Sequence, residues 1–138
     1  MKNKVIIIII SVYLIIFAIL SSILLFKKLD YNKKENRMND LVASFVKQYY
    51  EDDLYNQIGM DFDSKVEALK EYEKNGIHIS LYNLIRITNS KKLKELEELF
   101  RDPKTDKKCN LNNSEVYIYP NNPYQKEDYK LKIEMECE

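Results

Sequence analysis

VIIIIISVYLIIFAILSSILLF, residues Val5–Phe26, runs for 22 residues without a charge, a glycine or a proline. Ser11, Ser21 and Ser22 are its only small polar side chains. At about 1.5 Å rise per residue a helix here reaches about 33 Å, enough to cross a hydrocarbon core of about 30 Å. A secretory signal has a shorter apolar core, about 7–15 residues, closed by a small-x-small cleavage site. In this stretch the pair Ser21-Ser22 is followed by more Ile, Leu and Phe, and no lipoprotein-like cysteine follows. Val5–Phe26 therefore reads as an uncleaved single-pass anchor behind a short tail, residues 1–4.

The rest of the chain is polar. Lys2 and Lys4 precede the span, and Lys27, Lys28, Lys33, Lys34 and Arg37 follow it in a basic juxtamembrane segment, residues 27–37. Counted alone, these charges would keep the following domain in the cytoplasm. The short amino-terminal tail and a cysteine pair near the carboxyl end point the other way, and the expected site of the domain is extracytoplasmic. The chain carries 22 basic and 22 acidic residues, so there is no electrostatic case for nucleic acid. The basic segment can meet anionic lipid headgroups, which makes membrane lipid the first expected partner. Residues 38–138 are enough for one small core.

Apolar residues at helical spacing continue beyond the span. Leu29, Met38, Leu41, Val42, Phe45, Val46 and Tyr49 form one stripe, and no Gly or Pro interrupts the chain before Gly59. A helix is expected from about Val5 to about Tyr55, with Asp30–Asn39 polar enough to fray or bend. Asp61-Phe62-Asp63 reads as a turn. Ser64 with Glu67 three residues later reads as a capping box, opening a helix with Val66, Leu69 and Tyr72 inward and Asn75-Gly76 as its stop. Asp61 and Asp63 lack the Gly and closing Glu of a calcium hand and read as helix-start acids. Ile77-His78-Ile79 alternates like a strand. Ser80 can cap a helical turn carrying Leu81, Leu84 and Ile85. After Asn89-Ser90, Lys91–Arg101 reads as an amphipathic helix with Leu93, Leu96, Leu99 and Phe100 inward, closed by Asp102-Pro103.

The last thirty residues change period. Glu115–Tyr119, EVYIY, is rich in strand formers, and Pro120-Asn121-Asn122-Pro123 has turn composition. Tyr129, Leu131, Ile133, Met135 and Cys137 then alternate with Lys130, Lys132, Glu134 and Glu136, giving a strand with one dry and one wet face. The two strands predict an antiparallel hairpin, and a third strand is expected around Ile77 because a lone hairpin is marginal. The fold class is α+β. Cys109 and Cys137 border the hairpin and are expected to form a disulfide. Tyr117, Tyr119 and Tyr124 are the candidate interaction residues, since tyrosine suits amphipathic interfaces. His78 is the chain's one histidine and reads as structural.

The order of parts resembles that of type IV pilins and pseudopilins. The pieces that carry the resemblance are Val5–Phe26, the amphipathic continuation Met38–Tyr55, LEELFRDP at Leu96–Pro103, and Cys109…EVYIYPNNPY…Cys137. It implies an apolar helix half, a connecting region and a carboxyl-terminal antiparallel sheet closed by a disulfide. The chain departs from that family in having no Gly before Phe or Met ahead of the apolar run, and no Glu near the start of the span. The resemblance thus implies a layout more than polymerisation.

Function follows from what is present. With one His, no phosphate loop, no nucleophile elbow and no metal-ligand spacing, no catalytic, cofactor or metal residues are assigned, and the chain is expected not to be an enzyme. The leading expectation is a non-enzymatic, membrane-anchored structural or interaction protein, pilin-like or part of an envelope assembly. Its partners would be other envelope proteins or copies of itself. The second reading is a single-pass module for a small ligand or signal.

Overall fold

The structure, a computed structural model, describes residues 2–89, 91 and 93–138, with residues 2–9 as helix backbone alone. Lys2, Lys4 and the first part of the expected span, Val5 to Ile9, are thus described without side chains. Ser90 of the Asn89-Ser90 break lies outside the described residues. The chain divides into two units, Met1–Glu35 and Asn36–Glu138.

The first unit is helical backbone, part of α1 (Lys2–Val46). Its apolar side chains face outward: Tyr13, Phe17, Leu24 and Phe26 are each about 70% exposed, which only a nonpolar surround rewards. Among the described residues, one helix is long and apolar enough to cross a membrane, and it lies near the amino terminus. Inside it the Ser22 hydroxyl donates to the Ala18 carbonyl at 2.8 Å, satisfying a polar group where lipid offers no partner. The expected fraying at Asp30–Asn39 does not occur, and α1 runs through it without a break. The segment has no Gly or Pro and is built largely of residues that tolerate helix, and Asp30 pairs with Lys34 one turn on at 3.3 Å.

The second unit begins with the end of α1, where Val42, Phe45 and Val46 are buried. A π-helical stretch, Lys47–Leu54, follows and carries the buried Tyr50 and Glu51. The short α2 (Tyr55–Gln57) ends at Gly59, whose φ is +70°; a Cβ there would come within 2.6 Å of the Lys65 amide nitrogen. Helix α3 (Phe62–Asn75) has its cap three residues before the Ser64 cap of the sequence pattern, so it starts inside the expected Asp61-Phe62-Asp63 turn. Asp61 is its cap, accepting from the Ser64 amide at 2.8 Å, while the Ser64 hydroxyl accepts from the Asp61 amide at 3.2 Å. Ser64 is thus the third residue of the box, with Glu67 outside it, because a carboxylate is the stronger acceptor for an orphan helix amide. Leu69 is buried, but Tyr72 is exposed. Glu73, one turn beyond Leu69, is also exposed, and it accepts from the Tyr124 hydroxyl at 2.6 Å. Gly76 ends the helix at φ 72°, ψ 158°, an extended glycine conformation instead of the left-handed helical cap.

Strand β1 (Ile77–Ser80) follows at once, then α4 (Leu81–Asn89), whose Leu81, Leu84 and Ile85 are all buried. Ser80 Oγ accepts from the Asn83 amide at 3.3 Å, as its capping role requires. Helix α5 (Leu93–Glu97) ends before the Arg101 expected of the Lys91–Arg101 helix, whose Lys92 lies outside the described residues. The Leu99 amide bonds back to the Leu96 carbonyl, and the Phe100 carbonyl then accepts from the Cys109 amide at 3.0 Å. That exchange turns the chain early, burying Phe100 and leaving Leu99 outside.

Strands β2 (Glu115–Pro120) and β3 (Tyr129–Glu134) complete a three-stranded antiparallel sheet in the order β1-β2-β3. Pro120 is the last residue of β2, paired with Tyr129, and the turn proper begins after it. Val116 and Ile118, fully buried, meet the helices; the class is α+β as expected. The ladder of β3 stops at Glu134, short of Cys137, but Cys137 bridges Cys109 in backbone and is joined to it by a disulfide. Closing a loop with a sequence separation of 28 stabilises a small domain by about 3–4 kcal/mol in the chain-entropy model.

Candidate functional site

Alternation in β2 sends Val116, Ile118 and Pro120 into the core and leaves Glu115, Tyr117 and Tyr119 half-exposed on the other face. The register decides their neighbours. Tyr117 lies between His78 of β1 and Lys132 of β3; Glu115 lies between Ser80 and Glu134; Tyr119 lies beside Lys130. The rings line up. His78 stacks on Tyr117 at 5.9 Å between centroids, and Tyr117 stacks on Tyr119 at 6.3 Å, with interplanar angles of 24° and 14°. Opposite Tyr119 the adjoining chain offers Gly76, and a Cβ there would sit 2.9 Å from the tyrosine ring. The missing side chain lets the ring lie flat over the backbone.

Charges border this ladder. Lys132 Nζ sits 5.7 Å from the Tyr117 centroid and 2.6 Å from Glu134 Oε1. That contact holds the Glu134 carboxyl below its usual range and raises the Lys132 ammonium. The Tyr117 hydroxyl donates to Glu115 Oε2 at 2.7 Å, and this bond to a carboxylate pushes its pKa up to about 12. His78 Nδ1 is 3.9 Å from the same oxygen. The face is therefore a row of aromatic planes edged by lysine and glutamate, suited to contact by stacking and rim charge.

Tyr124 is not part of that face. It was expected among the exposed hairpin residues, yet it is 7% exposed, with φ +63°. Its hydroxyl donates to Glu73 Oε2 and its carbonyl accepts from the Tyr55 hydroxyl at 2.9 Å. These two bonds pull the loop inward, and Tyr124 serves packing. It joins an inner group under the hairpin. Tyr50 meets Tyr129 edge-on at 5.0 Å and Tyr55 at 6.0 Å, while the Tyr129 hydroxyl donates to the buried Glu51 at 2.9 Å. The Tyr50 hydroxyl has no protein partner among the described residues. Burial pushes the Tyr50 pKa up to about 12 and raises that of Tyr129, with Glu51 adding to the latter.

An open cleft of about 450 Å³ lies beside the β1 edge, lined by Glu71, Tyr72, Asn75, Gly76, Ile77 and His78. Among the described residues no three His, Cys, Asp or Glu side chains gather as a metal site. No family model, curated protein or solved structure matches this chain.

Sequence reasoning found Tyr117 and Tyr119 but not His78 as the third ring. His78 reads only as structural from the sequence, because the cross-strand register that joins it to Tyr117 is not a local signal. Glu51 and Tyr50 carried no warning, because their burial depends on the wider π turn.

Proposed function

We propose that this chain is a non-enzymatic interaction subunit, anchored in a membrane by its apolar helix, that presents the outward face of its sheet to another protein. The observation that carries this reading is the stacked row His78–Tyr117–Tyr119 with Lys132 and Glu134 at its rim. Rings on a fixed strand lose little conformational freedom on binding, and their polar tips tolerate water when unbound. The Cys109–Cys137 disulfide supports an extracytoplasmic domain, since such bonds persist in oxidising compartments. The pilin-like order of parts supports a place in an envelope assembly. The reading is tested by cross-linking the full chain in its native membranes and comparing it with a Tyr117→Ala/Tyr119→Ala variant. The expected result is loss of the cross-linked partner with the disulfide intact. Retention of the same partner by the double variant would overturn it.

The cleft beside β1 favours the second reading, a small ligand-binding or sensor module. A ligand there would perturb His78 and Tyr72 together and leave partner capture unchanged in the double variant.

A further inference from the structure

β3 is an edge strand of the sheet, with β2 on one side and, among the described residues, no strand on the other. Its extended form outlasts the ladder. The Asn110 amide donates to the Glu136 carbonyl at 2.7 Å and the Glu138 amide to the Lys108 carbonyl at 3.3 Å, so half-buried and exposed residues alternate from Tyr129 to Glu138. An edge of this length is a template for another strand, and proteins usually blunt such edges with lysine. This edge carries Lys130 and Lys132 in its first half but Glu134 and Glu136 in its second.

We propose that two copies of the chain join edge to edge through this segment, antiparallel, with the two-fold axis at Ile133. In antiparallel pairs the residues directly opposite share a face and interact most strongly. Centred on Ile133, Lys132 faces Glu134 of the second copy and Lys130 faces Glu136, while Leu131 faces Met135 and Ile133 faces itself. Each neighbouring register sets like charges opposite each other at or beside its centre. A centre at Lys132 or Glu134 sets that residue against its own copy. A centre at Leu131 opposes Lys130 with Lys132, and one at Met135 opposes Glu134 with Glu136. Like charges directly opposite destabilise a strand pair, so one register is selected. In the single chain Lys132 meets Glu134 along its own strand, and Glu136 accepts from Asn113 Nδ2 at 3.2 Å; pairing turns these groups across the new seam. The second copy adds to β3, so the seam shares Lys132 and Glu134 with the rim of the aromatic ladder but uses none of its rings. Self-association is therefore read separately from capture of a different partner, which the Tyr117→Ala/Tyr119→Ala variant tests with this charge pattern intact.

The test uses the full chain carrying two different tags, extracted in mild detergent. Lys130→Glu/Lys132→Glu makes the edge acidic throughout, and Glu134→Lys/Glu136→Lys makes it basic throughout. The native chain is expected to co-isolate with itself. Each variant alone should lose that association by roughly tenfold or more, because every opposed charge pair changes sign. Mixing the two variants should restore it, which also shows that both fold. Formation of the Cys109–Cys137 bond, read on a non-reducing gel, checks each fold separately. A native chain that does not self-associate, a variant that associates like the native chain, or folded variants that fail to pair when mixed would each overturn the proposal.

Discussion

Tyrosine occupies two opposite settings in the second unit of this protein. Beneath the hairpin, Tyr50 meets Tyr55 and Tyr129 edge to face, and hydroxyls of this group bond to the buried Glu51 carboxylate and the Tyr124 carbonyl. On the far face of the sheet, Tyr117 and Tyr119 lie nearly parallel, half-exposed, with charges at their margins. Inside, area removed from water dominates and each hydroxyl needs a specific acceptor. Outside, the rings contribute little to folding and remain available for contact. The same residue type is thus split between holding the fold and displaying a surface. The split is made by strand alternation and by the π turn that brings Tyr50 under β3.

The largest test of this contrast is truncation. Tyr50→Ala or Tyr129→Ala should cost about 3–5 kcal/mol, the range for emptying a large aromatic site in a core. Tyr117→Ala should cost less than about 1 kcal/mol, as expected for one exposed cross-strand pair. Denaturant midpoints of the full chain in detergent would measure both. Equal losses at the two sites would erase the distinction between inner and outer rings.

Ionisation should sharpen it next. The inner tyrosines are held neutral by burial, with Tyr50 moved up to about 12. A group whose folded pKa is raised stabilises fully below its unfolded value near 10, and that contribution is lost as pH rises through the folded value. Absorbance of tyrosinate should therefore rise in two stages. Tyrosines open to solvent would ionise first, and the inner group only with loss of the fold as pH approaches about 12. Tyr117 is a complication: its hydroxyl is also shifted to about 12, first by the bond to the Glu115 carboxylate, with burial and Glu134 adding. Glu115→Gln should lower its value without altering the second stage.

How much of this was legible beforehand follows the range of each interaction. The apolar span, the helix carrying Val42, Phe45 and Val46, the Ser80 cap and all three strands rest on local periodicity, and each is present. The disulfide was readable because both cysteines border one hairpin. The failures involve distant partners. Tyr124 turns inward for Glu73 and Tyr55, residues from two helices far back in the chain. α5 stops early because Phe100 bonds to Cys109. Tyr72 stays exposed, and its exposed neighbour Glu73 accepts from the Tyr124 hydroxyl, a long-range contact that no local pattern signals. At the candidate surface, alternation revealed which side of β2 is wet but not which residues of β1 and β3 lie beside it.

The finest cut distinguishes two hydroxyls within the inner group itself. Tyr129→Phe removes the donor to Glu51, a side chain only 6% exposed, and leaves a buried carboxylate oxygen without that bond. The expected loss is about 1–3 kcal/mol, the usual cost of stranding a buried polar partner. Tyr50→Phe removes a hydroxyl that no protein group meets among the described residues, while keeping the ring that touches Tyr55 and Tyr129. Stability should then stay level or rise by up to about 1 kcal/mol, since a desolvated group is removed without breaking a bond. Parallel urea titrations of the two variants would decide it. If Tyr50→Phe lost as much as Tyr129→Phe, the Tyr50 hydroxyl would hold a partner of its own, and the inner group would be a connected polar network instead of an aromatic cluster with one hydrogen bond to Glu51.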